Sequence, residues 1–292
     1  MQTFIGSYMF QEQPYANLLE ESFPGMKSNM LRCEQLGFPW ASKPFFKEDR
    51  GEVLSYVGFL EYPMLIEGKW HKAGALHAIC TKATHRGQGL ASRLIQEVLQ
   101  WAKDQYEFVV LFTEIPKFYE QLLFQNVQEY RFHLTCKRTS GTKSLQPLTF
   151  PQDNELFLRC FSNRQPISNR LWVKDNGIIS SYNTLFATYP TYWSLHYSPS
   201  INGVLSYLLE GKTLHLFDII ATKIPSLEVI LDHMPTEIDE IYFYFSPDLL
   251  TNAATAEPLS CDNKNMDFSG YLMVHGNWPK CEPCMISPLS RC

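Results

Sequence analysis

The hydrophobic pattern of residues 75–102 changes its period at a short turn. Residues 75–81 alternate loosely between apolar and polar side chains and include β-branched ones, which predicts a strand. Residues 90–102 carry apolar side chains at helical spacing, which predicts an amphipathic helix. The turn between them contains Arg86, Gly87 and Gly89. A strand, a basic glycine turn and a helix are therefore expected in direct succession.

A turn of this kind can bind a phosphate group. Glycine has no Cβ, so a ligand can approach the backbone closely and φ can be positive. The first amides of a helix lack intrahelical acceptors, and the helix dipole favours an anion there. Arg86 adds a cationic fork that matches phosphate oxygens. The motif alone also fits a plain connection between a strand and a helix.

The downstream pattern narrows this choice. Residues 106–113 form an apolar run that is typical of a buried parallel strand. A short helix with Pro116 in its first turn is predicted over residues 115–124, and another strand over residues 129–137. Upstream, helices are predicted at residues 15–23 and 28–36, and a strand pair at residues 53–60 and 64–70 with a hairpin turn at 67–69.

This order resembles the cofactor half of the GCN5-related N-acetyltransferase (GNAT) superfamily. That family carries Arg/Gln-x-x-Gly-x-Gly/Ala after its fourth strand, and Arg86, Gly89 and Ala91 match it. It often carries Phe-Tyr-Glu-x-Leu-Gly-Phe after its fifth strand, and residues 118–124 match except that Leu123 replaces the glycine. The resemblance implies an α/β (α+β) fold, with a mixed twisted sheet flanked by helices.

The resemblance covers residues 75–134 and implies acetyl-CoA as co-substrate. The residues expected to bind the cofactor are Ile79, Cys80, Thr81, Arg86, Gly87, Gln88, Gly89, Leu90 and Ala91. A main-chain N–H within residues 79–81 is the expected donor to the thioester carbonyl, provided that this strand separates from its neighbour.

Tyr119 is the expected proton donor to the departing thiolate. It holds the tyrosine position of the family motif. A phenol with a pKa near ~10 also stays protonated at neutral pH. The alternative is a structural tyrosine packed beside Phe118 and Phe124.

The base that takes the proton of the acceptor amine is open to several interpretations. Glu114 is one candidate, because it directly follows the strand before Tyr119. The terminal carboxylate of Cys292 is another, because in some multi-domain members of the superfamily the chain terminus reaches the active site. Glu61 and His77 are further candidates. The acceptor itself cannot be read from the sequence. Aromatic residues that could line its pocket, although core packing is their default, are Trp40, Phe45, Phe46, Trp70 and Trp193.

The second half of the chain repeats the order of elements found in the first. Strands are predicted at residues 171–174, 192–197, 203–209, 213–221, 240–245 and 271–275, with a helix at 225–233. The turn after residue 221 has no glycine or arginine, and it carries Ile224 and Pro225 where a phosphate would approach. We therefore predict two tandem GNAT-like domains, the second degenerate and without a cofactor loop. The expected ranges are 1–137 for the catalytic domain, 138–152 for a linker and 153–292 for the second domain.

Composition limits the function classes. A net charge of −5 over 292 residues does not indicate a nucleic-acid-binding protein, and it mildly favours a cationic acceptor. The sequence starts without a signal-peptide pattern, and no apolar run reaches the ~18–20 residues that span a bilayer. A soluble, cytoplasmic protein without a membrane partner is expected; the oligomeric state is not predicted.

The cysteines are expected to be reduced. Buried thiols are predicted at Cys33, Cys80, Cys136 and Cys160. Cys281 and Cys284 have the spacing of a metal or redox pair, and the candidates to complete a zinc site with them are Cys261, His275 and Cys292. The prediction is nonetheless that the protein holds no metal.

The predicted function is acetyl-CoA-dependent N-acyl transfer to a primary amine of a small molecule or peptide, by direct attack. One alternative is a CoA-binding regulatory or interaction protein without turnover. Another is a scaffold in which both halves are inert.

Overall fold

The computed structural model describes residues 10–38, 40–174, 177, 179–180, 183, 194–259 and 270–292. Its α-helices are α1 (Ala16–Ser22), α2 (Met26–Gln35), α3 (Leu90–Ala102), α4 (Pro116–Glu120), α5 (Asn154–Ser162) and α6 (Leu227–Leu231). Its first eight strands are β1 (Lys43–Asp49), β2 (Glu52–Glu61), β3 (Met64–Ile66), β4 (Lys69–His71), β5 (Ala73–Thr81), β6 (Phe108–Thr113), β7 (Gln125–Val127) and β8 (Tyr130–Arg138). The others are β9 (Gln146–Pro147), β10 (Leu171–Val173), β11 (Ser194–Ser198), β12 (Gly203–Glu210), β13 (Thr213–Ala221), β14 (Ile238–Phe243), β15 (Thr255–Pro258) and β16 (Tyr271–Gly276).

Two large mixed sheets organise the molecule. The first has the order β1-β2-β5-β6-β16-β7, and only β5 and β6 pair in parallel. The second has the order β15-β8-β14-β13-β12-β11-β9, and only β13 and β14 pair in parallel. The mixed α/β architecture that the sequence predicts is confirmed.

The two sheets exchange strands. In the first sheet, the strand beyond the parallel pair is β16, which comes from the end of the chain. In the second sheet, the corresponding strand is β8, which comes from the first half. The strand expected at residues 129–137 therefore pairs in the second sheet, and the one expected at 271–275 pairs in the first. In both sheets, one parallel pair of strands is flanked on each side by antiparallel pairs. The tandem division of the chain nevertheless stays a prediction.

One predicted pairing is wrong. Residues 53–60 do not pair with residues 64–70, because β2 pairs with β1 and β5. The hairpin turn at 67–69 does form between β3 and β4, and this hairpin joins β10 in a small third sheet. A strand pattern shows which residues face inward, but it does not name the neighbouring strand.

The two faces of the first sheet bury different helices. Val57 and Leu76 face α3, whose apolar stripe is buried against them, while Tyr56 and Ala75 belong to the opposite face. The helices α1 and α2 cover that opposite face, close to the positions predicted for them. The open end of the parallel pair thus has a helix layer on either side. Among the described residues, no helix is long and apolar enough to cross a membrane.

Candidate active site

The parallel pair β5–β6 is open at one end. Its pairing ends where Ala75 lies opposite Val110, although β5 continues to Thr81. A bulge at Ala78, with φ of 49°, coincides with a shift in the register between β5 and β2. Within the described part of the chain, residues 76–81 therefore have no strand partner on the β6 side. The strand separates from its neighbour, as the expected role of a main-chain N–H in residues 79–81 requires.

The glycine turn lies directly beyond this opening. Gly87 and Gly89 have φ of 76° and 72°, in the left-handed region that favours glycine. The helix α3 begins at Leu90 with Gly89 as its N-cap, so its first amides point out of the helix toward the turn. A Cβ on Gly87 would meet no atom of the described residues within 4 Å. The turn is open to an anion.

Arg86 connects the turn to the strand. Its Nε donates a hydrogen bond to the main-chain oxygen of Thr81 at 3.1 Å, while the side chain stays exposed. The Thr81 hydroxyl lies 3.0 Å from Ser55 Oγ on β2. The structure thus brings the end of β5, Arg86 and the start of α3 together. Gln88 is exposed, and Leu90 and Ala91 are half-buried at the helix start.

Tyr119 lies on α4 and is 7% exposed. Its ring packs edge-on against Phe118 and Phe124, with centroids 4.9 and 5.8 Å away. It belongs to the apolar cluster on the α3 face, against which Ile79 also packs. Burial raises the pKa of Tyr119 to about 12. The phenol therefore stays protonated at neutral pH, and it is better suited to donating a hydrogen bond to a thiolate than to giving up its proton fully.

The helix that carries Tyr119 is shorter than predicted. It ends at Glu120 rather than at residue 124, because the chain turns at Leu123. Leu123 has φ of 64°, the left-handed conformation that the family's glycine would adopt without strain, and its side chain is 76% exposed. The departure from the motif thus keeps the turn but adds backbone strain.

Replacing Leu123 with Gly should stabilise the protein. Relief of the left-handed strain gives about 1–2 kcal/mol, offset by the greater freedom of unfolded glycine, about 0.5–1 kcal/mol. The free energy of unfolding measured in urea should rise by about 0.5–1 kcal/mol. Leu123→Ala removes the same exposed side chain without relieving the strain, so an equal rise in both variants would contradict this account.

The candidate bases occupy different surroundings. Glu114 is exposed immediately after β6, at the open end of the parallel pair. Glu61 is exposed and accepts a 3.4 Å hydrogen bond from Tyr106. Cys292 is half-buried at the end of the described residues. His77 is partly buried on β5, directly before the bulge.

The C-terminal tail is buried and anchored. Glu129 Oε1 accepts from the main-chain N of Ile286 at 3.0 Å, and its Oε2 lies 2.7 Å from Arg291 Nη1. Arg291 also donates to the main-chain oxygen of Gly270 at 2.8 Å and covers the ring of Phe112, 4.3 Å from its centroid. These contacts place Arg291 beside β6.

The same tail fills an opening in the second sheet. The parallel pairing of β13 with β14 stops at Leu216. Beyond it, the hydroxyl of Ser287 donates to the main-chain oxygen of Phe217 at 3.1 Å. The main-chain N of Met285 donates to Ser246 Oγ, just after β14, at 3.3 Å. The tail therefore lies between the two strands, at the position that is open in the first sheet.

The seven cysteines among the described residues carry free thiols. Cys33, Cys80 and Cys160 are buried, as predicted, whereas Cys136 is only half-buried. Cys281 and Cys284 are also buried, with their Sγ atoms 3.2 Å apart. Cys261 and Trp193 lie outside the described residues. No group of three or more His, Cys, Asp or Glu side chains that could hold a metal ion occurs in the described part of the chain.

Two features of this site were not predicted from the sequence. The bulge at Ala78 has no signature, because alanine is an ordinary strand residue with a negative φ elsewhere. The hydrogen bond from Arg86 to Thr81 depends on how the turn folds back on the strand. The positive φ of the two glycines did have a signal, namely their residue type.

Comparisons with known proteins agree with this geometry. Residues 11–125 match the family model of the acetyltransferase (GNAT) domain. The matched range ends before β8, where the chain leaves the first sheet. No curated protein matches the sequence.

Solved structures share the fold over most of the chain. A conserved protein of unknown function from Enterococcus faecalis V583 is 13% identical, with a TM-score of 0.57, over 92% of this chain and 70% of that one. Eis1 from Mycobacterium abscessus is 12% identical, with a TM-score of 0.57, over 93% and 72% of the two chains. A GCN5-related N-acetyltransferase from Anabaena variabilis is 13% identical, with a TM-score of 0.52, over 92% and 70%. At these identities the likeness concerns the fold alone.

The family match and the site geometry point the same way. An open parallel pair, a bulged strand and a glycine turn at a helix start all lie inside the matched range. Residues 11–125 therefore match a GNAT acetyltransferase domain, which supports an acyltransferase activity for this part of the chain.

Proposed function

We propose that the protein moves an acetyl group from acetyl-CoA to a primary amine of a small molecule or peptide, by direct attack. The observation that carries this proposal is the unpaired edge of residues 76–81 beside the glycine turn. A cofactor that lies along this edge can reach the helix start with its pyrophosphate and the bulge with its thioester.

The residues divide the chemistry among them. The amides at the start of α3, together with Arg86, hold the pyrophosphate. A main-chain N–H within residues 79–81 stabilises the charge that develops on the carbonyl oxygen. Tyr119 donates a hydrogen bond to the leaving thiolate. Glu114 and the terminal carboxylate of Cys292 are the proposed acceptors of the amine proton.

We assign acetyl-CoA binding to the first sheet alone. In the second sheet, residues 285–287 bond to both strands of the parallel pair beyond its last paired residues. A cofactor there would have to displace buried chain. The turn after β13 also lacks glycine. This supports the interpretation of the second half as a degenerate domain without a cofactor.

The direct test is an assay of free thiol release from acetyl-CoA with a panel of amines and polyamines. We expect release that depends on at least one amine, with the acetylated amine detected by mass spectrometry. CoA binding without any transfer across the panel would instead favour a regulatory role. Absence of a thermal shift with acetyl-CoA would favour a scaffold.

Replacing Gly89 with Ala should weaken acetyl-CoA binding about 100-fold. The new Cβ adds strain at positive φ and intrudes where the pyrophosphate meets the helix amides, whose charge-assisted hydrogen bonds are each worth about 1.5–3 kcal/mol. Binding is measured by isothermal titration. Gly211→Ala is the matched control, since Gly211 has φ of 62° in the hairpin between β12 and β13 of the second sheet. Equal affinity of the two variants would exclude the turn as the binding site.

A further inference from the structure

An aromatic pocket lies on the face of the first sheet opposite α3. Tyr15 on α1 packs against Tyr56 on β2 and Phe46 on β1, with centroids 4.8 and 5.9 Å apart. The ring of Trp40 lies 5.3 Å from that of His77 on β5. These five residues surround the part of β5 that carries the bulge.

His77 is held in one orientation in this pocket. Its Nε2 lies 2.7 Å from Ser42 Oγ. Gly58 on β2 stands opposite His77, and a Cβ on Gly58 would lie only 2.5 Å from His77 Nε2. The absence of a side chain at Gly58 therefore makes room for the imidazole beside the bulge. Because Nε2 contacts Ser42, Nδ1 is the nitrogen left to exchange a proton with a ligand.

Two buried polar atoms of the pocket have no hydrogen-bond partner among the described residues. They are Trp40 Nε1 and Tyr56 Oη, and Tyr56 is fully buried. Ser42 and Trp40 lie near the Tyr56 hydroxyl, and they offset part of the rise in its pKa that burial causes. Neither residue, however, forms a hydrogen bond with that hydroxyl. Buried groups without partners are costly. A ligand that bonds to both would remove that cost.

The pocket is uncharged at neutral pH. Burial lowers the pKa of His77 to about 4 and raises that of Tyr15 to about 12. Burial also raises the pKa of Tyr56, and that of Cys80 to about 11. No charged group contributes to the shift at His77, which is caused by desolvation.

None of the five residues that form this pocket is a carboxylate. Glu21 influences Cys80. Glu34 Oε1 accepts from the main-chain N of Phe10 at 2.8 Å, and Glu34 Oε2 is buried without a hydrogen-bond partner among the described residues. An alkylammonium would lose its hydration in the aromatic pocket without gaining a carboxylate there. An amine that is already neutral in water avoids this loss.

On the basis of the proposed function, we infer that the pocket binds the acceptor as a neutral, weakly basic amine of the arylamine or hydrazide class, and that His77 accepts its proton. The amine nitrogen attacks the thioester carbon, and the C–S bond breaks. The proton lost by nitrogen passes first to His77 Nδ1 and then, through water, to the acceptors proposed above, Glu114 or the terminal carboxylate of Cys292. The thiolate gains a proton from water, after its charge has been held by Tyr119.

Two isomeric amines test the substrate class. In 4-methylaniline the amine is neutral at pH 7, whereas in benzylamine it is mostly protonated. For each amine, kcat/KM is divided by the rate of its uncatalysed reaction with acetyl-CoA at the same pH. We expect this ratio to be about tenfold or more higher for 4-methylaniline than for benzylamine. Preference for benzylamine would overturn this inference alone and point to Glu34 as the partner of a cation. Transfer to neither amine overturns it as well, and a wholly inactive amine panel would also end the proposed function.

Three variants test the residues. His77→Gln keeps an amide nitrogen near Ser42 but cannot accept the proton, so kcat with 4-methylaniline should fall about 100-fold. With benzoic hydrazide, which stays neutral to a lower pH than 4-methylaniline, wild-type activity should be level from about pH 6 to 9 and fall below about pH 5, where His77 becomes protonated, and the Gln variant should lose this dependence. An unchanged pH profile would overturn the role of His77.

Tyr56→Phe and Trp40→Phe should each raise KM for the amine but not Kd for CoA. Unchanged KM in both variants would show that the pocket does not bind the acceptor.

Discussion

Replacing Tyr119 with Phe should lower kcat about 100-fold or more, while Kd for acetyl-CoA stays within about twofold. The ring remains in the same cluster, so packing against Phe118 and Phe124 is retained and only the hydroxyl is lost. The leaving thiolate then has no donor from α4. The measurements are steady-state thiol release and isothermal titration with CoA.

The control for this variant is Tyr106→Phe. Burial and the neighbouring Glu61 raise the pKa of Tyr106 to about 12, as burial alone does for Tyr119, but its hydroxyl bonds to Glu61. Loss of kcat in both variants, or in neither, would remove Tyr119 from its assigned role. Because its pKa is about 12, Tyr119 stays protonated, and it should cause no fall in kcat between about pH 7 and 10.

Replacing Arg291 with Met should lower the free energy of unfolding by about 3–5 kcal/mol. Glu129 is 6% exposed and would be left buried without the guanidinium that it bonds at 2.7 Å. The tail would also lose its contact with Phe112 beside the site, so kcat should fall more than the affinity for CoA. Urea unfolding and thiol release measure the two effects.

A surface ion pair provides the contrast. Lys212 and Glu237 are also 2.7 Å apart, but both are more than half exposed. Lys212→Met should leave the urea midpoint unchanged, since solvent screens such a pair. The double variant Glu129→Gln with Arg291→Met should recover much of the lost stability, because no buried charge then lacks a partner. Equal losses in Arg291→Met and Lys212→Met would show that burial does not strengthen this pair.

Features that depend on a few adjacent residues were predicted well. The helix α3, the strand before it and the glycine turn all have local causes, namely periodicity and the absence of a Cβ. The helices α1 and α2 were placed for the same reason. By contrast, the end of α4 was misplaced, because Leu123 adopts a backbone conformation that its side chain does not favour.

The pairing of strands was not predictable in the same way. Alternation shows that residues 130–138 form a strand with an inner face, but the same alternation suits either sheet. Which sheet receives β8 and which receives β16 depends on contacts between residues 100 or more positions apart along the chain. The roles assigned to Glu114 and Cys292 stay predictions for a related reason, because a base is defined by its distance to a substrate.

The sequence by itself determined that the chain has a glycine turn leading into a helix, because backbone freedom and helical periodicity are properties of neighbouring residues. It also indicated the resemblance of residues 75–134 to the GNAT superfamily, through two motifs in the order that the family has. Only the tertiary structure decided where β5 leaves β6, which strand each sheet takes from the other half, and that the tail fills the second opening. These outcomes follow from long-range packing, in which many segments compete for the same apolar surface and hydrogen-bonding edges.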